Sequence, residues 1–142
     1  MLELEDIVTR DKIRWAVNSF KPYKAPGPDG LAPAVIQHSL SYTTDCLLSL
    51  FKGCIQLSYT PKIWRQANVV FIPKPEKARY KVAGFWRPIS LSSFLIKTLE
   101  RLVDRHIRTP RLEGMLRSNN QFAYLRGVST EAALHRLVTH VE

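Results

Sequence analysis

The spacing of apolar residues divides the chain into helical, then extended, then again helical stretches. In residues 6–20, Ile7, Ile13, Val17 and Phe20 recur near the helical period, with Trp15 and Ala16 beside them. Thr9 is placed to cap a helix over 10–20, because a Thr hydroxyl can accept from an N–H of the first turn that has no carbonyl partner. Lys24-Ala-Pro-Gly-Pro-Asp-Gly30 then holds two Pro and two Gly in seven residues, so a loop is expected. A short helix over 33–39 follows, with Pro33 in the first turn, where its missing N–H does no harm. A longer helix over 42–57 carries Leu47, Leu48, Leu50, Phe51, Cys54 and Ile55, and Pro61 lies just beyond its end.

The period then falls to that of a strand. Ala67-Asn-Val-Val-Phe-Ile72 is β-branched and aromatic, and Pro73 and Pro75 bound it. Lys74–Gly84 is polar and basic. Phe85-Trp-Arg-Pro-Ile-Ser-Leu91 reads as a second strand whose Pro88 suits an edge. The two strands predict an antiparallel hairpin. Over 93–108, Leu95, Leu99, Leu102, Val103 and His106 share one side of a helix. Lys97, Arg101, Arg105 and Arg108 fall within about 80° of one another on the other side, at about 100° per residue. Glu100 and Asp104 flank those cations, so a solvated, ion-paired face is expected. A last helix runs from Ser129 or Thr130 through Ala133, Leu134, Leu137 and Val138. The fold class expected is α+β.

A length of 142 residues fits about one domain. With 45% hydrophobic and 23% charged residues, the chain can bury a core and does not have the composition of a disordered segment. No run approaches the ~18 apolar residues of a membrane span. The acidic start, Met1-Leu-Glu-Leu-Glu-Asp6, lacks the layout of a signal peptide. An intracellular protein without a membrane partner is expected. Cys46 and Cys54 lie two helical turns apart, too far to bridge, and are read as buried thiols. No His or Cys cluster has zinc-site spacing, and His38, His106, His135 and His140 form no nucleophile–base arrangement.

Charge changes the picture more. Residues 1–60 balance six Lys/Arg against six Asp/Glu, and 112–142 balance three against three. Residues 61–111 hold twelve against three, so the whole net charge of +9 sits there. Such clustering is the footprint of a nucleic-acid or nucleotide partner; the alternative is a solvated basic surface.

Five landmarks occur in a fixed order. They are Pro26-Gly-Pro-Asp-Gly30; Pro61-x-x-Trp64-x-x-Ala67-x-Val69-x-x-Ile72-Pro-Lys-Pro75; Trp86-Arg-Pro-Ile-Ser-Leu91 with Lys97 and Glu100; Gln121-Phe122; and Ser129-Thr130-x-x-Ala133-Leu134. Each alone is unspecific. Together they resemble the front part of the reverse transcriptase domain of non-LTR (LINE-type) retrotransposons, over residues 26–134. On that resemblance, residues 1–25 are a helical lead-in. Residues 26–142 are a partial reverse transcriptase domain, cut off before the catalytic aspartates.

The resemblance implies the mainly helical fingers subdomain of a right-hand polymerase, with the start of the palm and one antiparallel β-hairpin. It implies an RNA-directed DNA polymerase, to which this stretch contributes template and incoming-nucleotide binding. Lys74 and Arg87 match the basic positions that meet the nucleotide's triphosphate, an anion that a planar guanidinium can hold bidentately. Lys77, Arg79 and Lys81 have no firm counterpart, since that loop varies; template phosphates and solvent are the alternatives. Arg126 is a further template-binding candidate. Ala123-Tyr124 stands where Gly-Phe is common, and Val128 where a basic residue is frequent, so position 128 is not expected to grip the template.

Polymerases of this kind use two metal ions held by carboxylates. The family places one aspartate soon after the Ser-Thr…Ala-Leu helix and a pair in a later Asp-Asp hairpin. No Asp-Asp pair occurs in this sequence, so no catalytic or metal-ligating residue is assigned. No cofactor is expected to bind this stretch, with Mg²⁺ implied for the complete enzyme. Asp29 is read as a turn residue bonded to its own backbone. The implied partners are an RNA template, a DNA primer, deoxynucleoside triphosphates and the rest of the polymerase, its palm and thumb, in the nucleus. The competing readings are a non-catalytic nucleic-acid-binding relic or exapted module, and a helical interaction protein with an accidental basic patch.

Overall fold

The helix over Arg10–Asn18 starts where Thr9 can cap it. The Thr9 backbone is extended and its hydroxyl accepts from the Lys12 N–H at 3.2 Å, which satisfies one orphan donor of the first turn. The computed structural model describes residues 4–75, 82–108, 121–123 and 127–141. They divide between two compact units, 1–106 and 107–142. In the first unit, a turn of helix α1 (Leu4–Ile7) precedes α2 (Arg10–Asn18), which stops two residues short of its expected end.

One 24-residue helix, α3 (Pro33–Gln56), replaces the two expected over 33–39 and 42–57. Ser and Thr near the expected break usually favour turns because their hydroxyls compete for backbone groups. Here the competition is resolved inside the helix: the hydroxyls of Ser39, Thr43 and Thr44 donate back to the carbonyls of Ile36, Ser39 and Leu40. Ile36, Leu40, Thr44, Leu47, Phe51 and Cys54 then form one buried stripe that crosses the join. The two cysteines part company on that helix. Cys54 is buried, and desolvation raises its pKa, whereas Cys46 is exposed. Eight residues turn the helix about 80° past whole turns, which carries Cys46 off the stripe.

A 3₁₀ turn over Lys62–Arg65 seats Trp64 against Phe51, ring centroids 6.1 Å apart. Strand β1 (Ala67–Pro73) pairs antiparallel with β2 (Trp86–Ser92), in the register Val69↔Ser90, Phe71↔Pro88 and Ile72↔Arg87. Both strands are edges, which Pro88 tolerates. Phe85 belongs to a 3₁₀ turn that precedes β2, not to the strand. The Ser93 hydroxyl accepts from the Leu95 N–H at 3.1 Å and opens α4 (Phe94–Ile107).

The core lies among the helices. Val8, Ile13 and Val17 meet Ile36, Leu40 and Phe51 of α3 and Phe94 and Leu102 of α4. Burial of each such side chain contributes about 1.5–3 kcal/mol. The hairpin supplies none of this core: every residue of β1 is exposed. The loop at Pro26–Gly30 joins base to hairpin by a close backbone approach. A Cβ on Gly27 would lie 2.5 Å from the Ser93 nitrogen and 2.6 Å from the Ser92 carbonyl carbon, so only glycine fits. Gly30, at φ +70°, closes the turn by donating to the Gly27 carbonyl at 3.1 Å. The Leu31 N–H donates to Asp29 Oδ1 at 3.2 Å, the local bond expected of Asp29.

In the second unit, α5 (Thr130–Val141) is capped by the Ser129 hydroxyl, which accepts from the Ala132 N–H at 3.2 Å. Its Leu134, Leu137 and Val138 are exposed, and Arg136 lies over the ring of Phe122 at 5.7 Å. Among the described residues, no helix is long and apolar enough to cross a membrane.

Candidate functional site

The hairpin register decides where the two sequence-predicted nucleotide ligands go. Alternation along the paired strands puts Val69, Phe71, Trp86, Pro88 and Ser90 on one face. Asn68, Val70, Ile72, Arg87, Ile89 and Leu91 take the other. Trp86 and Arg87 therefore point to opposite faces, with Trp86 half-buried and Arg87 exposed. Lys74 follows one residue after β1. Its N–H donates to the Phe85 carbonyl at 2.8 Å, which extends the ladder by one bond. Its ammonium donates to the Gly84 carbonyl at 2.8 Å. Lys74 and Arg87 thus stand at the same end of the hairpin, two ladder positions apart. Arg87 makes no hydrogen bond or ion pair among the described residues, so its guanidinium is uncommitted. Lys77, Arg79, Lys81 and Arg126 lie outside the described residues.

The other large group of cations departs from expectation in part. On α4, Lys97, Arg101 and Arg105 make ring contacts and no ion pair among the described residues. Arg105 is nevertheless exposed, as a solvated face requires, and neither Asp104 nor Arg108 is without a partner. Lys97 lies over the Phe94 ring at 4.4 Å, Arg101 over Phe20 at 3.9 Å and Arg105 over Trp15 at 4.2 Å. Arg101 also donates to the Ser19 hydroxyl, and Lys97 to the Ser92 carbonyl at 3.1 Å. Phe20 and Phe94 meet edge to face at 5.1 Å, so Lys97 and Arg101 sit on a packed aromatic pair. Each contact on a ring is worth about 0.5–2 kcal/mol, depending on how far water is excluded. Glu100 is exposed and forms no ion pair among the described residues. The cations at steps of four carried one signal for this arrangement. Phe94 lies three residues before Lys97, but the partners of Arg101 and Arg105 are 81 and 90 residues away, and sequence spacing cannot pair them.

A hollow of about 470 Å³ at the start of α2 is lined by Val8, Thr9, Arg10, Asp11, Arg14, Leu48 and Lys52. Arg10 pairs with Asp45 at 2.6 Å and Arg14 approaches Asp11 at 4.0 Å, and Lys52 is not without a partner either, so its cations are already engaged. Asp29 Oδ2 is buried and has no hydrogen-bond partner among the described residues. Among those residues no three His, Cys, Asp or Glu side chains gather where they could hold a metal ion.

No protein-family model matches the chain. Among curated proteins, it is 32% identical over all 142 residues to a retrovirus-related Pol polyprotein from the type-1 retrotransposable element R1 of Bradysia coprophila. It is 29% identical over 131 residues, 92% of its length, to a probable RNA-directed DNA polymerase from transposon BS of Drosophila melanogaster. Against the RNA-directed DNA polymerase from mobile element jockey of Drosophila funebris it is 32% identical over 133 residues, 94% of the chain. The chain spans only 13–14% of these relatives' own length. Over most of its length it is similar to the RNA-directed DNA polymerases of non-LTR retrotransposons.

Proposed function

We propose that this chain is a segment of an RNA-directed DNA polymerase of a non-LTR retrotransposon, from the fingers and the start of the palm, whose hairpin grips the triphosphate of the incoming nucleotide. The observation that carries this reading is the pairing of Ile72 with Arg87, which brings Arg87 to the Lys74 end of the hairpin with its guanidinium exposed and uncommitted. A triphosphate presents several charged oxygens. The Arg fork can meet two of them at once, while the Lys74 ammonium, now on a backbone carbonyl, can exchange that neutral acceptor for an anionic one. In this reading Lys74 and Arg87 bind and orient the triphosphate.

Titration of the ¹⁵N-labelled chain with a deoxynucleoside triphosphate and Mg²⁺ tests the reading. Saturable shifts are expected at Ile72–Lys74 and Gly84–Arg87. Arg87→Ala should weaken binding about ten- to hundredfold, as expected for loss of a charge-assisted contact worth about 1.5–3 kcal/mol. Arg87→Lys should restore only part, because it keeps the charge and loses the fork. An unchanged affinity in the alanine variant would overturn the assignment.

A further inference from the structure

Tyr23 is the most solvent-exposed of the large aromatic side chains described, at 94%. It stands in the turn Lys21-Pro-Tyr-Lys24 between α2 and α3, and exposed tyrosines in loops are common. This one differs in how its backbone is held. The Gln37 side-chain amide donates to the carbonyls of Val17 at 3.1 Å and Phe20 at 2.9 Å. The Ala34 N–H donates to the Pro22 carbonyl at 3.1 Å. Phe20, immediately before the turn, is fixed between Phe94 and Arg101. Pro22 restricts its own φ as well. The ring is therefore presented from a fixed base, and stacking on it costs little conformational entropy, since tyrosine has only two side-chain torsions.

Its neighbours supply the charge. Lys21 and Lys24 are both exposed and form no hydrogen bond or ion pair among the described residues. The nearest acid along the loop, Asp29, spends one oxygen on the Leu31 N–H and buries the other. Tyr42 is a built-in contrast. It is 88% exposed, but it lies on α3 without a Lys or Arg within four residues, and Asp45 is three residues away.

We propose that the Lys21–Lys24 turn is a contact for single-stranded nucleic acid: one base stacks on Tyr23, and Lys21 and Lys24 meet the phosphates on either side. An aromatic face flanked by mobile cations is the arrangement that grips a strand without reading its sequence. A duplex is a poor fit, because its bases already stack on one another and present only their edges. The choice of nucleic acid as partner rests on the polymerase reading, but the surface is separate from the hairpin.

The full chain should be tested by fluorescence anisotropy against a labelled oligo(U) of roughly 12 nucleotides and against a duplex of equal length. Salt should be low, about 50 mM, where phosphate contacts are strong. The single strand should bind more tightly than the duplex. Tyr23→Ala should weaken strand binding about five- to hundredfold, Tyr23→Trp should retain it, and Tyr42→Ala should leave it unchanged. Lys21→Ala and Lys24→Ala should each lower the log–log salt slope by about 0.7. The exposure of all these side chains means that the variants should melt like the parent, which circular dichroism can check.

A wild-type chain that binds no single strand overturns the inference. So does one whose affinity ignores Tyr23→Ala, and in that case the hairpin's response to nucleotide still stands. Conversely, a hairpin indifferent to nucleotide in a chain whose strand binding depends on Tyr23 sinks the hairpin reading and leaves the turn.

Discussion

Arg101 and Arg87 carry the same guanidinium into opposite circumstances. Arg101 lies 3.9 Å from the Phe20 ring centroid and donates to Ser19, with Lys97 and Arg105 stacked on rings to either side along α4. Arg87 projects from a hairpin exposed on both faces and has no protein partner among the described residues. Both fall in the segment that holds the chain's entire net positive charge. A count of charge along a sequence therefore does not locate a binding surface. Part of this excess is consumed in holding α4 to the aromatics of α2 and the turn after it, whereas Arg87 is left to solvent. The same division runs through the apolar residues: Phe51 and Ile13 are fully buried in the helical base, whereas Phe71 and Ile72 are exposed.

Urea unfolding of single variants would break or sharpen this contrast. Phe51→Ala, which empties a fully buried site, should cost about 3–5 kcal/mol. A cost below that of a surface change would mean that the base is not packed as described. Gly27→Ala should cost about 1–3 kcal/mol, since the new methyl must displace the backbone at Ser92–Ser93. Free accommodation would show that the hairpin root is not held there. Arg101→Ala should lose about 0.5–2 kcal/mol, and a double-mutant cycle with Phe20→Ala should recover a coupling of that order. Arg87→Ala should fall within about 0.5 kcal/mol of the parent, the range of an unpartnered surface residue. If Arg87→Ala proved as damaging as Arg101→Ala, the distinction between structural and presented cations would collapse. The smallest perturbation is chemical: Cys46 should react with a thiol reagent well before Cys54, whose burial disfavours the thiolate. Equal rates would mean that the base opens readily.

Features set by near neighbours were legible in the sequence. The Thr9 cap, the loop around Pro26–Gly30, the two strands and the helix after Ser93 all depend on interactions within a few residues, which propensity and periodicity record. The continuity of α3 was not legible, because Ser39, Thr43 and Thr44 look like turn residues until their hydroxyls are seen bonded to the preceding turn. Cys46 was misjudged because an error of about 80° in helical phase separates core from solvent. The stacking of Arg101 and Arg105 required knowing that Phe20 and Trp15 lie beside α4. For the candidate site, a resemblance named Lys74 and Arg87, and the strand register supplies what a motif lacks, the pairing that puts them at one end. Why Tyr23 stands out was hidden because nothing in Phe20-Lys-Pro-Tyr-Lys24 says that Gln37 and Ala34 hold that turn in place.

The close approach of Gly27 to Ser92 and Ser93 makes the hairpin a cantilever, clamped at its root with Arg87 towards its far end. Arg87 stands five residues along the strand from Ser92, roughly 17 Å at about 3.3 Å per residue. A tilt of about 5° at the clamp would sweep its backbone through about 1.5 Å, comparable with the misplacement of about 1 Å that can cost a positioned group a hundredfold in rate. If Arg87 holds a triphosphate as proposed, its alignment is set at the clamp, by the one residue there with no side chain to wedge it open.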